Sequence, residues 1–230
     1  MSEEIQPGTL YIVSTPIGNL EDITFRAVKI LSGVDLIAAE DTRKTKTLLE
    51  HYKIQKELIS YFQFNESKRT PELIEALKSG KSIAIVSDAG TPGISDPAYR
   101  LVRAAIDDGI NIIPIPGASA LLAVLVVSGL PTDGFVFEGF LPHKKGRRTK
   151  LEQLKSESRT IILYESPHRI LKTLQQLQEI LGDRQVAVGR EITKKFEEIF
   201  RGALSEAFNY FSCKSIKGEF VLVVKGIEND

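Results

Sequence analysis

Residues 83–97 read Ile-Ala-Ile-Val-Ser-Asp-Ala-Gly-Thr-Pro-Gly-Ile-Ser-Asp-Pro. The apolar run over 82–86 predicts a buried strand, and the residues from 88 to 96 predict a loop. Asp96 before Pro97 predicts the capped start of a helix that reaches Asp108. Gly90 and Gly93 let a ligand approach the backbone closely. Because ligands of open α/β sheets bind at the carboxyl ends of the strands, the stretch indicates an α/β fold with a binding site here.

The same alternation of apolar runs and helical patterns extends on both sides of this stretch. Further strands are predicted over 10–13, 36–39 and 111–115, and helices over 22–31, 71–78 and 118–128. Thr70 and Pro71 are predicted to cap and to begin the second of these helices. Strands that alternate with helices favour a mainly parallel sheet with both faces covered.

A cluster of Gly, Pro and Asp between 129 and 133 indicates a domain boundary. We therefore divide the chain into an N-terminal α/β domain, 1–130, and a C-terminal α/β domain, 131–230. The second domain has predicted strands over 135–140, 160–164, 185–188, 198–201 and 220–224, and helices over 148–155, 170–181 and 204–211. Its third and fourth strands are too close in sequence for a helical crossover, so this sheet is predicted to be mixed.

The composition excludes several classes of protein. Lys and Arg together number 30, as do Asp and Glu, so any nucleic-acid role requires a local basic patch. The single cysteine, Cys213, excludes a disulfide within the chain. The longest apolar run, 120–127, is too short to span a bilayer, and we expect a soluble cytoplasmic protein without membrane contact. The three histidines lack metal-ligand spacing, so no metal is expected.

Loops with glycine, proline and polar residues follow three of the predicted strands. Asp88 presents a carboxylate at one strand end, unless it merely caps a turn. The segment 14–20 follows the first strand, and the segment 114–120 opens a helix whose N–H groups, with the Ser119 hydroxyl, can hold polar ligand atoms. Each loop alone is as typical of an ordinary turn, but three together favour a cleft at this edge.

A dense basic cluster stands out in this neutral chain: Lys144, Lys145, Arg147, Arg148 and Lys150. It follows a predicted strand, so we expect it on the surface. Cations in such a cluster neutralise phosphates along RNA. The alternative is a solvated surface loop without a partner.

Eight segments carry a more specific pattern. They are Tyr-Ile-Val-x-Thr-Pro-Ile-Gly-Asn-Leu-x-Asp-Ile-Thr (11–24), Ala-Ala-Glu-Asp-Thr-Arg (38–43), Val-Ser-Asp-Ala-Gly-Thr-Pro (86–92), Pro-Gly-Ala-Ser-Ala (116–120), Glu-Gly-Phe-Leu-Pro (138–142), Lys-Gly-Arg-Arg (145–148), Tyr-Glu-Ser-Pro-His-Arg (164–169) and Arg-Glu-Ile-Thr-Lys (190–194). In this order they resemble the bacterial small-subunit ribosomal RNA methyltransferases that methylate a cytidine 2′-hydroxyl, within the tetrapyrrole methylase superfamily. The resemblance covers nearly the whole chain.

The resemblance implies two α/β domains, a homodimer, small-subunit ribosomal RNA as partner, and S-adenosylmethionine bound in a cleft between the domains. It implies donor-binding roles for Pro16, Ile17, Asp88, Gly90, Thr91, Ser119, Leu163 and Tyr164. The basic cluster, taken on its own residues, predicts RNA binding by Lys144, Lys145, Arg147 and Arg148. The chain departs from the family at Ala118 and Ala120, where such loops often carry Pro, Cys or Ser, so polar contacts from this loop rest on Ser119.

Methyl transfer from a sulfonium needs no metal and no covalent enzyme intermediate. The protein aligns the acceptor oxygen with the methyl carbon and the sulfur, and manages the proton of the ribose hydroxyl. Candidate residues near the acceptor are Glu40, Arg43, Glu165, Glu191 and Lys194. The sequence selects no single base among them, and alignment of the acceptor alone remains an alternative.

Two other functions stay open at this point. One is a methylase in the same superfamily that acts on a tetrapyrrole or on a protein side chain, which the basic cluster disfavours. The other is a non-catalytic module that binds S-adenosylmethionine or a nucleotide, which the acidic and basic residues at the strand ends disfavour.

Overall fold

A computed structural model describes residues 5–227 of the chain. Its contacts divide the chain into two compact units, Met1–Ser119 and Ala120–Asp230. The sequence places the domain boundary later, after residue 130. The difference is one helix, Ala120–Leu125, whose buried side chains Leu121, Val124 and Leu125 pack with strand residues of the second unit.

The first unit is a five-stranded sheet with helices between the strands. Its strands are β1 (Thr9–Val13), β2 (Leu36–Ala39), β3 (Leu58–Ser60), β4 (Ile83–Val86) and β5 (Asn111–Ile115). Its helices are α1 (Phe25–Gly33), α2 (Thr42–His51), α3 (Glu66–Lys78) and α4 (Tyr99–Asp107). The strand order is β3-β2-β4-β1-β5, and every pair is parallel. The predicted parallel α/β sheet is confirmed.

The central strands of this sheet are buried on both faces. Alternate residues of β1 contribute to two separate apolar clusters: Tyr11 and Val13 belong to one, and Leu10 belongs to the other. Strand β2 divides in the same way, with Ile37 in the first cluster and Leu36 in the second. This two-sided burial explains why these strands read as continuous apolar runs in the sequence.

Two elements of this unit, α2 and β3, were not predicted from the sequence. Three helices, α1, α3 and α4, begin at other residues than predicted. Helix α2 is polar apart from one narrow face, and β3 has only three residues. Helix α1 begins after Thr24, whose side chain accepts a hydrogen bond from the N–H of Ala27. Helix α3 begins at Glu66 and contains Pro71 in its interior. Thr70 is not its cap, because the helix has already begun four residues earlier; the Thr70 hydroxyl lies 3.0 Å from the Tyr61 hydroxyl instead.

Helix α4 begins at Tyr99, and its N-cap is Ala98 rather than the predicted Asp96. The Asp-Pro pair at 96 and 97 therefore lies in the loop before the helix. The carboxyl of Asp96 therefore does not cap the helix, and its surroundings are described with the candidate site.

The second unit contains a mixed five-stranded sheet. Its strands are β6 (Phe135–Phe140), β7 (Thr160–Glu165), β8 (Gln185–Arg190), β9 (Glu198–Ala203) and β10 (Phe220–Val224), and its helices are α5 (Ala120–Leu125), α6 (Arg147–Leu154), α7 (Ile170–Leu181) and α8 (Leu204–Ser212). The order is β6-β7-β10-β8-β9, in which β6 and β7 are parallel and the other pairs antiparallel. The predicted mixed sheet is confirmed, including the antiparallel pairing of β8 with β9.

The helices of residues 5–227 are all too short or too polar to cross a bilayer.

Candidate functional site

Hydrogen bonds join the loops that leave β1 and β4 in the first unit. The backbone of Thr15 donates to Gly90 O at 2.8 Å, and Gly90 N donates to Thr15 O at 3.0 Å. The Thr15 hydroxyl donates to Ser87 O at 3.2 Å. Gly90 has a φ of 83°, a conformation that favours glycine. The two strand ends therefore form one fixed edge.

The loop after β5 joins the same edge. The hydroxyls of Ser14 and Thr91 lie 2.8 Å apart, and Thr91 Oγ1 donates to Ala118 O at 3.4 Å. A Cβ atom on Gly117 would lie 2.8 Å from Ser14 Cβ, so the close approach of these two loops requires glycine. The three loops that the sequence singled out are thus brought together, and Ser14 is an additional polar member.

The other donor-binding candidates of the first unit lie on these same loops. Pro16 is buried, and Ile17 is half-buried. A Cβ atom on Gly90 would lie 3.4 Å from Ile17 Cγ2, so these residues are close neighbours. Ser119 is half-buried at the last position of the unit. Their contact with a donor stays a prediction.

Asp88 connects the end of β4 to the end of β2. Its carboxylate accepts hydrogen bonds from Asp41 N at 3.0 Å and from Lys44 Nζ at 2.6 Å. In return, Asp88 N donates to Glu40 Oε2 at 3.2 Å. Two predicted site residues, Glu40 and Asp88, are therefore adjacent. Lys44, which forms an ion pair with Asp88, lies in the first turn of α2 next to Arg43.

Arg43 lies on the exposed side of this cluster. Its guanidinium donates through two nitrogens to the carboxylate of Asp41, at 3.0 and 2.7 Å. These hydrogen bonds hold the pKa of Asp41 well below its usual range. Because the Arg43 side chain is almost fully exposed, its guanidinium is accessible to an incoming anion.

Two acids of the cluster ionise less readily than usual. Burial raises the pKa of Glu40, and the nearby charge of Asp88 adds to this effect, against a hydrogen bond from Asp88 N. Burial raises the pKa of Asp96 to about 6, and the charge of Glu40 contributes next. Asp96 was predicted to be a helix cap, so sequence reasoning missed its place beside Glu40. An Asp-Pro pair before a helical pattern gives no signal that separates the two roles.

The remaining catalytic candidates, Glu191 and Lys194, lie in the loop after β8 of the second unit. Lys194 Nζ donates to Glu191 Oε1 and to Glu219 Oε2, both at 2.9 Å. Burial opposes ionisation of Glu191, but its hydrogen bonds with Lys194 and Glu219 N keep the pKa below the usual value. Glu191 and Thr193 have positive φ angles of 50° and 67°, so this loop is strained. Backbone strain of this kind clusters at functional sites.

Leu163 and Tyr164, the donor-binding candidates of the second unit, lie in β7. Leu163 is buried in the core. The hydroxyl of Tyr164 accepts a hydrogen bond from Leu121 N at 3.3 Å, and the rings of Phe137 and Phe140 contact the Tyr164 ring edge-on. The position of Tyr164 is therefore fixed, and its role in donor binding stays a prediction.

The basic cluster is divided between surface and interior. Lys144, Lys145 and Arg148 are exposed, whereas Arg147 is only 5% exposed. The prediction that Arg147 lies on the surface is therefore wrong. Its side chain points into the core because Arg147 shares a helix face with Leu151 and Leu154, which are also buried.

The buried guanidinium of Arg147 belongs to a network around Glu165. Arg147 donates to Gln176 Oε1 at 2.8 Å and to Thr173 Oγ1 at 2.6 Å. The Thr173 hydroxyl donates to Glu165 Oε2 at 2.6 Å, and Arg169 Nε donates to Glu165 Oε1 at 2.8 Å. Glu165, a candidate for the acceptor site, is thus a buried carboxylate with charged partners and has a structural role.

Comparison with known proteins places these features in a family. Residues 9–207 match the family described as Tetrapyrrole (Corrin/Porphyrin) Methylases. The chain is 54% identical over 220 residues to "Ribosomal RNA small subunit methyltransferase I" of Halalkalibacterium halodurans, covering 95% of this chain and 76% of the relative. It is 52% identical over 221 residues to the protein of the same name from Thermotoga maritima, covering 96% and 100%.

A solved structure shows the same fold at much lower identity. Uroporphyrin-III C-methyl transferase from Thermus thermophilus, complexed with S-adenyl homocysteine, superposes with a TM-score of 0.65 at 17% identity. The match covers 94% of this chain and 97% of that chain.

Proposed function

The chain belongs to the tetrapyrrole methylase family and, within it, to the ribosomal RNA small subunit methyltransferase I group, and from this premise we propose its reaction. It is an S-adenosylmethionine-dependent methyltransferase. We propose that the acceptor is the 2′-hydroxyl of a cytidine ribose in 16S ribosomal RNA. One observation carries the proposal. The chain is 52% identical to the Thermotoga maritima protein along that relative's full length, and the name of the relative specifies small-subunit ribosomal RNA.

The joined loops of the first unit suit the donor. At Gly90 the backbone takes a conformation that favours glycine, and Gly117 lets the loop after β5 pack closely against Ser14, so these loops present backbone groups close together at one edge. The hydroxyl of Thr91 and the carboxylate of Asp88 provide polar groups beside them. We assign donor binding to these loops, with Pro16, Ile17 and Ser119 as further contacts.

The sulfonium of S-adenosylmethionine supplies an electrophilic methyl group with a neutral leaving group. The protein therefore has to hold the ribose hydroxyl in line and accept its proton. Among the acidic candidates, Glu40 has the environment that suits proton acceptance, because burial raises its pKa toward neutrality. Arg43 is accessible for orienting a phosphate, and we assign Glu191 and Lys194 to the acceptor side as a mutually neutralised pair.

The remaining elements of the proposal concern partners and compartment. Lys144, Lys145 and Arg148 are exposed cations on one short segment, as contacts with RNA phosphates require. We propose that the protein acts in the cytoplasm, because small-subunit RNA is its expected substrate. We also propose that it is a homodimer, as the exposed apolar residues Leu122 and Val126 favour.

Transfer of labelled methyl groups tests the function. Purified protein is incubated with methyl-labelled S-adenosylmethionine and either 16S ribosomal RNA or small ribosomal subunits. We expect label in RNA, and an alkali-resistant dinucleotide at the labelled cytidine, because a 2′-O-methyl group blocks hydrolysis of the adjacent phosphodiester. Label on a base contradicts the 2′-O assignment. Label only on an added tetrapyrrole or protein favours another methylase of the family, and donor binding without any transfer favours a non-catalytic module.

A further inference from the structure

A cavity of about 410 Å³ opens on the second unit between the end of β6 and helix α6. Glu138 and Phe140 of β6 form one wall, and Lys150 and Gln153 of α6 form the other. The segment from Leu141 to Gly146 connects the two walls. A volume of this size is within the range of small-molecule and nucleotide sites, which is roughly 300–1,000 Å³.

Strand β6 is irregular at this cavity. Its register with β7 shifts between Phe137 and Gly139, so Glu138 lies at a β-bulge. Gly139 has a φ of 60°, which favours glycine. Bulges redirect side chains and are frequent beside binding sites.

The connecting segment is held in place by the buried network around Glu165. Arg169 Nη1 donates to Leu141 O at 3.0 Å, and Arg147 Nη1 donates to Pro142 O at 3.3 Å. Arg169 donates a hydrogen bond directly to the buried carboxylate of Glu165, and Arg147 is linked to the same carboxylate through the Thr173 hydroxyl. The wall of the cavity is therefore preorganised, which reduces the entropy lost on binding.

The groups that face the cavity suit a flat ligand with a polar edge. Phe140 is 54% exposed, and its ring contacts Tyr164 at a centroid distance of 5.7 Å, which fixes its orientation. Lys150 Nζ and Glu138 Oε2 form an ion pair at 2.5 Å, and Gln153 adds an amide. These groups provide hydrogen-bond donors and acceptors beside an accessible aromatic ring.

Two cations lie on the segment that connects the two walls, next to Gly146, which lines the cavity. Lys144 and Lys145 are exposed, and among residues 5–227 neither has an acidic partner within ion-pair distance. Arg148 and Lys150, in contrast, are paired with Glu152 and Glu138. The two unpaired lysines favour a ligand that carries a phosphate close to its aromatic part.

We infer that this cavity binds one unstacked nucleotide of the RNA substrate. The base stacks on Phe140, its edge is read by Glu138, Lys150 and Gln153, and its phosphates lie against Lys144 and Lys145. Base–aromatic stacking with adjacent cations is the usual means of binding single-stranded RNA. The inference rests on the proposed function in one respect, since it takes the ligand to be part of the methylated RNA.

Equilibrium binding of a fluorescent single-stranded oligoribonucleotide tests the site without catalysis. We expect Phe140→Leu to raise the Kd at least about fivefold, and Phe140→Tyr to stay within about twofold of the unaltered protein. Phe135→Leu is the matched control, because it makes the same change on the same strand outside the cavity. Affinity for S-adenosylmethionine should remain unchanged in Phe140→Tyr and Phe135→Leu, which both keep an aromatic ring against Tyr164.

A second variant keeps the test valid if Phe140→Leu fails to fold, because it changes an exposed residue. Gln153→Glu adds a negative charge at an exposed position of the cavity and should weaken RNA binding, whereas Gln175→Glu, at an exposed position of α7 outside the cavity, should not. Wild-type affinity in both Phe140→Leu and Gln153→Glu would overturn the inference.

The methyl-transfer assay separates this inference from the proposed function. RNA methylation by the unaltered protein, with oligonucleotide binding that is insensitive to Phe140, overturns the inference alone. Phe140-dependent binding without any RNA methylation overturns the proposed function and leaves the cavity as an RNA site.

Discussion

The amino group of Lys44 in α2 lies 2.6 Å from the carboxylate of Asp88 at the end of β4. The same carboxylate accepts the N–H of Asp41, so the ends of two neighbouring strands are joined through one side chain. Asp88 thus has a structural contact in addition to its proposed contact with the donor. An experiment on Asp88 has to separate these two roles.

We expect Asp88→Ala to weaken binding of S-adenosylmethionine by about tenfold or more, because a hydrogen bond to a charged group contributes about 1.5–3 kcal/mol. Calorimetric titration measures the affinity, and circular dichroism checks the fold. Lys44→Met is the matched control: it removes the ion pair but keeps the carboxylate. Because this pair is partly exposed, its loss should cost only about 0–1 kcal/mol of stability. Unchanged donor affinity in a folded Asp88→Ala protein would contradict the assignment.

The stability of the first unit should depend on the ionisation of Asp96. Burial, followed by the charge of Glu40, raises the folded-state pKa of Asp96 to about 6 from the ordinary 3.8. The folded state therefore binds the proton more tightly than the unfolded state. The stabilising contribution is complete below about pH 3.8 and is lost as the pH rises to about 6.

The Asp96→Asn variant has a side chain that does not ionise at position 96, so its stability should not fall over this pH range. We expect the free energy of unfolding of the variant, relative to the unaltered protein, to increase between pH 4 and pH 6.5 and then to level off. Denaturant unfolding across this pH range measures the difference. Asp133→Asn, at an exposed position, is the control. A difference that stays constant with pH would show that Asp96 ionises normally.

Every strand except β3, and the type of each sheet, were predictable because they depend on local patterns. Residues 83–86 are apolar without interruption, as burial on both faces requires, and the short interval between β8 and β9 excludes a helical crossover. The environment of Asp96 was not predictable in this way. It depends on Glu40, which is distant in sequence, and the local Asp-Pro pattern equally fits a helix cap.

The helical spacing of the sequence indicates the buried position of Arg147, although its charge suggested an exposed one. Residues 147, 151 and 154 share the spacing of one helix face, and the last two are leucines. A helix beginning at 147 rather than 148 would have placed Arg147 toward the core. Its partner Glu165 lies at the end of β7, and no local pattern identifies that pairing.

Arg147→Ala should destabilise the protein strongly. It removes one guanidinium from the network around Glu165 and leaves buried polar groups without a partner, at a cost of about 3–5 kcal/mol. Arg148→Ala, at the adjacent exposed position, should cost less than about 1 kcal/mol. Denaturant titration of the two variants measures both values. Similar stability of the two would mean that the network contributes little.

We expect a homodimer in solution. Leu122, Val126 and Val127 are exposed apolar residues in or directly after α5, and apolar side chains exposed together favour association. Light scattering at micromolar concentration should give about twice the 25.5 kDa of one chain. Val126→Glu should lower the mass if this surface forms the interface. A mass of one chain for the unaltered protein would contradict the dimer.

The last prediction concerns the salt dependence of RNA binding. Arg147 is buried and Arg148 is paired with Glu152, so phosphate contacts from the basic cluster should come mainly from Lys144 and Lys145. Each phosphate neutralised contributes about 0.7–0.9 to the slope of log affinity against log salt. We therefore expect Lys144→Ala with Lys145→Ala to weaken RNA binding at low salt and to flatten this slope by about 1.4–1.8 units.

The control is Lys68→Ala with Lys81→Ala, which removes the same charge from exposed positions of the first unit. Lys68 lies on α3, and Lys81 precedes β4, at the opposite end of that strand from Asp88. If the effect depended only on net charge, both double variants would change the slope equally. If Lys144 and Lys145 contact phosphates, only their removal flattens the slope, and the affinity for S-adenosylmethionine stays the same in both proteins. An unchanged slope in both would leave this cluster without a role in RNA binding.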